Sequence, residues 1–143
     1  MASEKVLLVD DDAEFTEVLA ERMKGRGLKV DTVNDGRAAI DKAREASYDA
    51  IVLDLAMPGM DGIETLKALL ERQPDLQIIL LTGHATVEKG VEAVKLGAMD
   101  FIQKPANLQD LLEKIKQAKN QKMLLVETKI EDEITKILRE KGW

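Results

Sequence analysis

Two apolar runs in the sequence end in carboxylates. The run VLLV at residues 6–9 is followed by three consecutive aspartates at residues 10–12, and the run AIVL at residues 50–53 is followed by Asp54. Carboxylates that lie close together repel one another, so one of them normally takes up a proton unless a cation is bound. Mg²⁺ prefers hard oxygens and takes one or two protein carboxylates, with waters or phosphate oxygens as its other ligands. If the fold brings the two run ends together, this pattern favours a Mg²⁺ site.

Apolar runs alternate with segments of helical period along the chain, and this alternation predicts the fold that would position the acids. The five runs lie at residues 6–9, 28–33, 50–53, 77–81 and 99–102. Short strands that are apolar on both faces and alternate with amphipathic helices indicate a parallel sheet covered on both sides. With right-handed crossovers, the prediction is an α/β, doubly wound, flavodoxin-like (βα)5 fold with strand order 2-1-3-4-5 and a C-terminal helical extension.

Polar residues stand at the carboxyl ends of four of the predicted strands. Thr82 ends strand 4 and Lys104 follows strand 5, just as aspartates end strands 1 and 3. In this fold, ligands bind beyond the carboxyl ends of the strands, at the switch point between strands 1 and 3. All of these residues are therefore predicted to meet on one rim of the sheet.

The four aspartates are predicted to have different roles on that rim. Asp11 and Asp54 are the expected direct Mg²⁺ ligands, and Asp10 is expected to act on the metal through water. Asp12 is expected to cap the helix that starts at Ala13, because its side-chain oxygen can accept from the free backbone N–H groups there. For the aspartate run taken alone, the alternative is one capping residue and two solvated loop residues.

Length and composition limit the classes of protein. The 143 residues suffice for one domain, and 45% apolar with 34% charged residues is typical of a soluble globular chain. The absence of cysteine excludes disulfides and thiolate metal sites, and a single histidine argues against a histidine-based zinc site. A net charge of −6 argues against direct binding of nucleic acid. No apolar run is long enough to span a membrane and the N-terminus MASEK has no signal-peptide core, so we expect a cytoplasmic location.

Four motifs together closely resemble the CheY-like receiver domains of bacterial two-component response regulators, in particular those of NtrC-type regulators. They are VLLVDDD at residues 6–12, IVLDLAMPGMDG at 51–62, LLTGH at 80–84 and DFIQKP at 100–105. Each motif alone is modest, whereas all four in this order and at suitable separations are highly specific. The resemblance covers residues 4–119, and we predict a receiver domain at residues 1–119 and a helical extension at residues 120–143.

The resemblance implies a phosphoryl-accepting site with Mg²⁺ as its cofactor. The residues implied are the phosphoacceptor Asp54, the Mg²⁺ ligands Asp11, Asp54 and the backbone carbonyl of Ala56, the supporting acid Asp10, and Thr82 and Lys104 as contacts of the phosphoryl oxygens. The implied phosphoryl donor is a phosphohistidine on a sensor histidine kinase, or a small acyl phosphate.

The resemblance also assigns a switch position. Phe101 matches the aromatic residue whose inward rotation accompanies movement of Thr82 in receivers, and the alternative is that Phe101 belongs only to the core at strand 5. The bond between Lys104 and Pro105 is commonly cis in receivers, although cis is the minority state of X–Pro bonds in general.

The sequence departs from the pattern of the family at three positions. Ala56 and His84 flank the route of an attacking water, so they are expected to influence the lifetime of the phosphoryl group. His84 is either a general base or an exposed loop histidine. Ala106 replaces a bulky apolar residue, which is expected to loosen the surface between helix 4 and helix 5.

The segment at residues 120–143 is too short for a helix-turn-helix output domain, and its five basic residues balance five acidic ones. Its apolar residues at amphipathic-helix spacing are Ile130, Ile134, Ile137 and Leu138. The apolar phase of helix 5 is lost at residues 119–122, which predicts a bend or a stutter. The segment is either a helix that folds back onto its own receiver or a helix that dimerises or binds a partner.

The predicted function is a phosphorylation-controlled switch protein and not an enzyme with an external substrate. The expected partners are a sensor histidine kinase and an unidentified downstream protein, which would bind a surface made by helix 4, strand 5 and helix 5. A homodimer is an open expectation.

A phosphatase of the haloacid-dehalogenase kind is disfavoured, because it needs a second aspartate at the position of Ala56. Two rival functions stay open: a receiver-fold interaction module that no longer accepts phosphate, and the excised N-terminal receiver of a longer transcriptional regulator. The ending KGW favours a stand-alone receiver.

Overall fold

The computed structural model describes residues 3–55, 62–83, 87–105 and 107–142, and within them five strands alternate with five helices. The elements are β1 (Lys5–Val9), α1 (Ala13–Gly25), β2 (Lys29–Val33), α2 (Gly36–Glu45), β3 (Ala50–Asp54), α3 (Gly62–Arg72), β4 (Ile78–Thr82), α4 (Val87–Lys95), β5 (Asp100–Gln103) and α5 (Leu108–Glu140). The predictions made for Ala56, His84 and Ala106 concern residues outside the described ranges.

The five strands form one parallel sheet in the order β2-β1-β3-β4-β5, which confirms the predicted fold. Because successive side chains of a strand point to opposite faces, the sheet has an apolar cluster on each side. One cluster joins Leu7 and Leu80 to helices α2, α3 and α4, and the other joins Val6 and Val52 to helices α1 and α5. The central strands are buried on both faces, so their polar ends are the parts of these strands that can reach a ligand.

Side-chain caps define where the helices begin. The Asp12 carboxylate accepts from the backbone N–H of Phe15 at 3.0 Å, as predicted, and Asp35 and Asn107 cap α2 and α5 in the same way. Helix α1 ends just before Gly27, whose φ of 90° lies in the left-handed region that glycine adopts at little cost. These boundaries place the start of α1 directly above the end of β1.

Helix α5 is one unbroken helix of 33 residues. It continues through residues 119–122, where the sequence predicts a bend or a stutter. The loss of apolar phase at these residues therefore does not end the helix. It moves the apolar side chains to a different face of the helix. Lys122 Nζ donates to Ser47 Oγ at 2.8 Å and to the carbonyl of Tyr48 at 2.7 Å, and Lys129 forms an ion pair with Asp75. The extension therefore does not fold back onto the receiver, and two lysines tie it to the loops that follow α2 and α3.

Within the described ranges, no helix combines the length and the apolar character needed to cross a membrane.

Candidate functional site

Three carboxylates meet at the carboxyl ends of β1 and β3. The two strands are neighbours, with Val9 paired to Leu53, so the residues that follow this pair stand at the same edge of the sheet. Asp10 is fully buried, Asp54 is 4% exposed, and Asp11 faces solvent. One carboxylate oxygen from each of the three lies within 4.8 Å of the others, and no other such acidic or histidine cluster occurs among the described residues.

The ammonium of Lys104 lies beside two of these carboxylates. Its Nζ is 3.1 Å from Asp10 Oδ2 and 3.7 Å from Asp54 Oδ1, and it also lies 4.8 Å from the centre of the Phe15 ring. The Lys104–Pro105 bond is cis, and the Lys104 backbone N–H donates to the carbonyl of Thr82 at 2.7 Å. A single cation thus offsets the repulsion between two buried anions while a third carboxylate remains on the solvent side.

Polar contacts that the sequence did not predict hold Asp10 in place. Its carboxylate accepts from the backbone N–H of Asp12 at 3.0 Å, and its backbone carbonyl accepts from Asn34 Nδ2 at 2.9 Å and from Thr16 Oγ1 at 3.4 Å. Thr16 lies inside α1 and carried no such signal, whereas Asn34 directly follows the predicted strand at residues 28–33, and that position could have revealed it.

Thr82 ends β4, on the strand next to β3, and its side chain is fully buried. Among the buried side-chain nitrogen and oxygen atoms of the described residues, Thr82 Oγ1 alone has no hydrogen-bond partner. A buried hydroxyl in this state costs about 1–3 kcal/mol, so a group that accepts a hydrogen bond from it would be stabilised at this point.

Helix α4 packs tightly against Thr82 and Phe101. A Cβ at Gly90 would lie 3.1 Å from Phe101 Cγ and 3.1 Å from Thr82 Cγ2, which is closer than ordinary van der Waals contact. Phe101 is half-buried and packs against the apolar cluster on the α2, α3 and α4 face. The signal that could have revealed Gly90 is a glycine inside an amphipathic helix, which costs about 1 kcal/mol and usually marks close packing.

The first residue of α3 also approaches the site closely. A Cβ at Gly62 would lie 2.4 Å from Leu55 Cα and 2.7 Å from the carbonyl oxygen of Asp54, both of which are backbone atoms. The Gly62 backbone N–H donates to the carbonyl of Leu55 at 3.2 Å. The absence of a side chain at position 62 therefore allows α3 to begin against the end of β3.

The carboxylate cluster fits a magnesium ion by its donor chemistry. All three side chains offer hard oxygens, and Mg²⁺–oxygen distances of about 2.1 Å put opposite ligands about 4.2 Å apart. One oxygen each of Asp10, Asp11 and Asp54 lies within 4.8 Å of the others, which is close to that range. The structure thus brings together Asp10, Asp11, Asp54 and Lys104 on one rim, with the Thr82 hydroxyl on the adjacent strand.

The chain matches curated regulators over most of its own length but only a part of theirs. The C4-dicarboxylate transport transcriptional regulatory protein DctD of Pseudomonas aeruginosa is 38% identical over 129 residues, which are 90% of this chain and 28% of DctD. The transcriptional regulatory protein ZraR of Escherichia coli is 39% identical over 112 residues, which are 76% of this chain and 25% of ZraR. The transcriptional regulatory protein FixJ of Bradyrhizobium diazoefficiens is 39% identical over 100 residues, which are 70% of this chain and 49% of FixJ. The chain thus spans between a quarter and a half of these three relatives.

Solved structures match the fold closely. A response regulator receiver domain protein from Clostridium thermocellum superposes with a TM-score of 0.80 at 29% identity, over 85% of this chain and 98% of that chain. The structure of an adenylate cyclase from Rhodopirellula baltica superposes with a TM-score of 0.84 at 27% identity, over 94% of this chain and 98% of that chain. The second match covers more residues than 1–119 can supply, so it includes part of the extended α5.

A family model for the response regulator receiver domain matches residues 6–116, which include every strand end of the site. The match agrees with the strand order, with the relatives and with the solved receivers. This chain belongs to the family of response regulator receiver domains, which act in phosphorylation-controlled signalling.

Proposed function

We propose that this chain is a signalling switch whose phosphoacceptor is Asp54 and whose phosphoryl donor is a sensor histidine kinase. The observation that carries the proposal is the setting of the Asp54 carboxylate. It lies at the buried end of β3, in one cluster with Asp10 and Asp11, and 3.7 Å from the Lys104 ammonium. A carboxylate in this setting is an anionic nucleophile that has positive charge beside it to offset the charge of an incoming phosphoryl group.

Mg²⁺ is the proposed cofactor. The proposed ligands are Asp11, Asp54 and the backbone carbonyl of Ala56, with Asp10 acting through water. When bound, the ion offsets negative charge on the phosphoryl oxygens and lowers the repulsion among the carboxylates. Support comes from the donor set, because the described part of the cluster consists only of hard oxygens.

In the proposed reaction, a carboxylate oxygen of Asp54 attacks the phosphorus of a phosphohistidine in line with the bond that breaks. A P–O bond forms, the P–N bond breaks, and the histidine nitrogen keeps the electron pair. The Lys104 ammonium, now held by Asp10 and Asp54, interacts with a phosphoryl oxygen of the product. In hydrolysis a water oxygen attacks the phosphorus, the P–O bond to Asp54 breaks, and inorganic phosphate leaves. The chain promotes only these two reactions of its own side chain and is not an enzyme with an external substrate.

The proposed switch couples the phosphoryl group to α4 through Thr82. Its unpartnered hydroxyl donates to a phosphoryl oxygen, and the resulting shift of Thr82 changes the space available to Phe101. Gly90 supports this proposal, because its missing side chain leaves α4 in contact with both residues. Phe101 is therefore proposed to be part of the core and of the switch.

The proposed surface for a downstream partner, here called the α4–β5–α5 surface, lies beside this switch. Val91 and Val94 on α4 are 43% and 37% exposed, and Phe101 and Lys114 line a recess between β5 and α5. We propose that residues 1–119 form the receiver and residues 120–143 the extension. The names of the relatives favour an output in transcriptional regulation, either through a further domain of a longer chain or through a separate protein.

The test is phosphorylation of the purified chain with acetyl phosphate and Mg²⁺, read by intact mass, and repeated with a sensor kinase that carries a phosphohistidine. One phosphoryl group should be added, and the addition should be lost in Asp54→Asn and on removal of Mg²⁺ by a chelator. Asp12→Asn is the matched control, because asparagine also caps helices and the adduct should persist. No adduct from either donor would favour a receiver-fold module that no longer accepts phosphate.

A further inference from the structure

Phe15 is an aromatic residue beside the carboxylate cluster to which the proposed metal site and the proposed phosphoryl transfer give no role. The centre of its ring lies 4.8 Å from the ammonium nitrogen of Lys104. The face of an aromatic ring carries partial negative charge, and a cation within about 6 Å of the ring centre is attracted to it. The ring is therefore a third contact of this ammonium, in addition to the carboxylates of Asp10 and Asp54.

The first turn of α1 fixes the position of the Phe15 ring relative to Asp10. The backbone N–H of Phe15 donates to the Asp12 carboxylate at 3.0 Å, and the backbone N–H of Thr16 donates to the Asp12 carbonyl at 3.0 Å. The Thr16 hydroxyl reaches further back, to the carbonyl of Asp10 at 3.4 Å. The ring itself is half-buried and packs against the apolar cluster on the α1 and α5 face. Ring and carboxylate are thus held by one short segment, and both meet the ammonium of Lys104.

The two carboxylates do not by themselves determine where the Lys104 ammonium rests. Its side chain is 30% exposed, and the long flexible stem of a lysine lets the ammonium turn toward water. Asp10 is the closer carboxylate at 3.1 Å, whereas the 3.7 Å to Asp54 exceeds hydrogen-bond distance. Charge attraction alone therefore favours a position on Asp10, and a contact from a third direction restricts the positions that remain.

We propose that Phe15 is a positioning residue for Lys104, whose ammonium it holds beside Asp54 to meet a phosphoryl oxygen. The inference rests on the proposed phosphorylation of Asp54. A ring attracts the ammonium without adding a formal charge, whereas another carboxylate would repel the incoming phosphoryl group. Because this attraction needs no exact hydrogen-bond geometry, it persists when the ammonium moves from the carboxylates to the phosphoryl oxygen. The ring thus raises the fraction of molecules in which the ammonium is correctly placed, and with it the rate of phosphorylation.

Fluorination of the ring separates this role from packing. Phe15 also fills space against the apolar cluster, so a loss of activity on its replacement could come from packing alone. Fluorine atoms withdraw electron density from the ring face and weaken its attraction for a cation, while the ring keeps nearly the same shape and stays apolar. A purely structural role is insensitive to this change, whereas the positioning role weakens with each added fluorine.

The rate of Asp54 phosphorylation by acetyl phosphate and Mg²⁺, followed by intact mass on the full chain, tests the proposal. This donor needs no protein partner, so the docking of a kinase does not affect the rate. Phe15→Leu removes the ring and should slow the reaction about fivefold, which corresponds to about 1 kcal/mol, and Phe15→Tyr should stay within about twofold of the wild-type rate. Mono-, di- and trifluorinated phenylalanine at position 15 should slow it progressively toward the rate of Phe15→Leu. Val18→Ala removes apolar surface from an exposed position of α1 and should leave the rate unchanged.

Proton NMR of Lys104 gives a second readout that needs neither a phosphoryl donor nor Mg²⁺. Protons above the face of an aromatic ring resonate upfield, so the ε-methylene protons of Lys104 should lie upfield of the usual lysine range. The displaced signal should vanish in Lys104→Arg, which assigns it. In Phe15→Leu it should return to the usual range, and far-ultraviolet circular dichroism checks that the variant is folded.

The outcomes separate this inference from the proposed function. Equal rates across the fluorinated series would overturn the inference even with a slow Phe15→Leu, because that pattern belongs to packing. An ordinary chemical shift of Lys104 in the wild-type chain would also overturn it. A wild-type chain that takes up no phosphoryl group would refute the proposed function and the inference together, whereas equal rates in a chain that takes it up refute the inference alone.

Discussion

Replacement of Thr82 by valine is expected to stabilise the unphosphorylated protein. Thr82 is fully buried and its Oγ1 has no hydrogen-bond partner among the described residues. Valine has the same shape and replaces the hydroxyl by a methyl group, so it removes an unsatisfied polar atom without leaving a cavity. An unsatisfied buried hydroxyl costs about 1–3 kcal/mol, and we therefore expect the free energy of unfolding to rise by about 1 kcal/mol. For a domain of this size, that change raises Tm by about 3 °C.

The matched control is Thr16→Val, which should have the opposite sign. Thr16 is 2% exposed, but its Oγ1 donates to the carbonyl of Asp12 at 2.7 Å. Valine removes that hydrogen bond and leaves the carbonyl with one donor fewer, so we expect a loss of about 1 kcal/mol. Urea unfolding followed by far-ultraviolet circular dichroism measures both variants under the same conditions.

Beryllofluoride, a mimic of the phosphoryl group, extends the same comparison to the proposed switch. With Mg²⁺ it should stabilise the wild-type protein more than Thr82→Val, because only threonine can donate to the bound group. If Thr82→Val loses stability as Thr16→Val does, the hydroxyl is already satisfied and the reasoning about its unpartnered state is refuted.

Three further predictions concern the metal, the packing of α3 and the dependence of stability on pH. Mg²⁺ at 100 times its dissociation constant should raise the free energy of unfolding by about 2.7 kcal/mol. Asp11→Asn should raise that dissociation constant at least tenfold in a thermal titration, and a wild-type protein that does not respond to Mg²⁺ would contradict the assignment. Gly62→Ala should lower the free energy of unfolding by about 2 kcal/mol, because its Cβ would lie 2.4 Å from the backbone that follows β3. Gly25→Ala, where a Cβ meets nothing within 4 Å, should be neutral or stabilising, and equal urea midpoints for the two variants would refute the packing argument. Burial raises the pKa of Asp100, but hydrogen bonds from Lys114 and a backbone N–H outweigh it and lower that pKa below 3.8. Ionised Asp100 then stabilises the fold above pH 3.8, and this contribution is lost as the pH falls through the lowered pKa. Asp100→Asn should therefore flatten the acid loss of stability in urea titrations, and an unchanged pH profile would contradict this.

The convergence of the site was predictable from the sequence because one physical rule governs it. Neighbouring parallel strands end at the same edge of a sheet, so Asp10 and Asp54 had to meet once the strand order was known. Lys104 follows β5, two strands away from β3 at the same edge, and reaches both carboxylates through its long side chain. The strand order itself followed from apolar runs too short for helices and from the helical spacing between them, and the structure confirms it. The roles of these side chains in phosphoryl transfer remain proposals.

The close approaches around the site were not predictable in the same way. Gly62 and Gly90 matter because of what a Cβ would touch, and those neighbours come from other elements of the fold. The Phe15 ring beside Lys104 likewise follows apolar helical spacing and gave no sign of its contact with a cation. Sequence periodicity reports which face of an element is buried, but it does not report the distance at which two buried faces meet.

The course of α5 shows a second limit of periodicity. The loss of apolar phase at residues 119–122 predicted a bend or a stutter, and the helix continues through these residues without a break while its buried apolar residues end at Ala118. Lys122 and Lys129 replace apolar residues on the receiver-facing line because they reach polar partners in two loops. An apolar pattern cannot distinguish the end of a helix from a helix whose buried face becomes polar.

The identity of the phosphorylated residue tests the central claim most directly. After phosphorylation with Mg²⁺ and acetyl phosphate, reduction with borohydride converts an aspartyl phosphate to homoserine, which peptide mass spectrometry places in the sequence. The account predicts homoserine at position 54 and at no other aspartate. Homoserine at position 10 or 11, or the absence of any reduced aspartate in a chain shown by intact mass to carry phosphate, would contradict it.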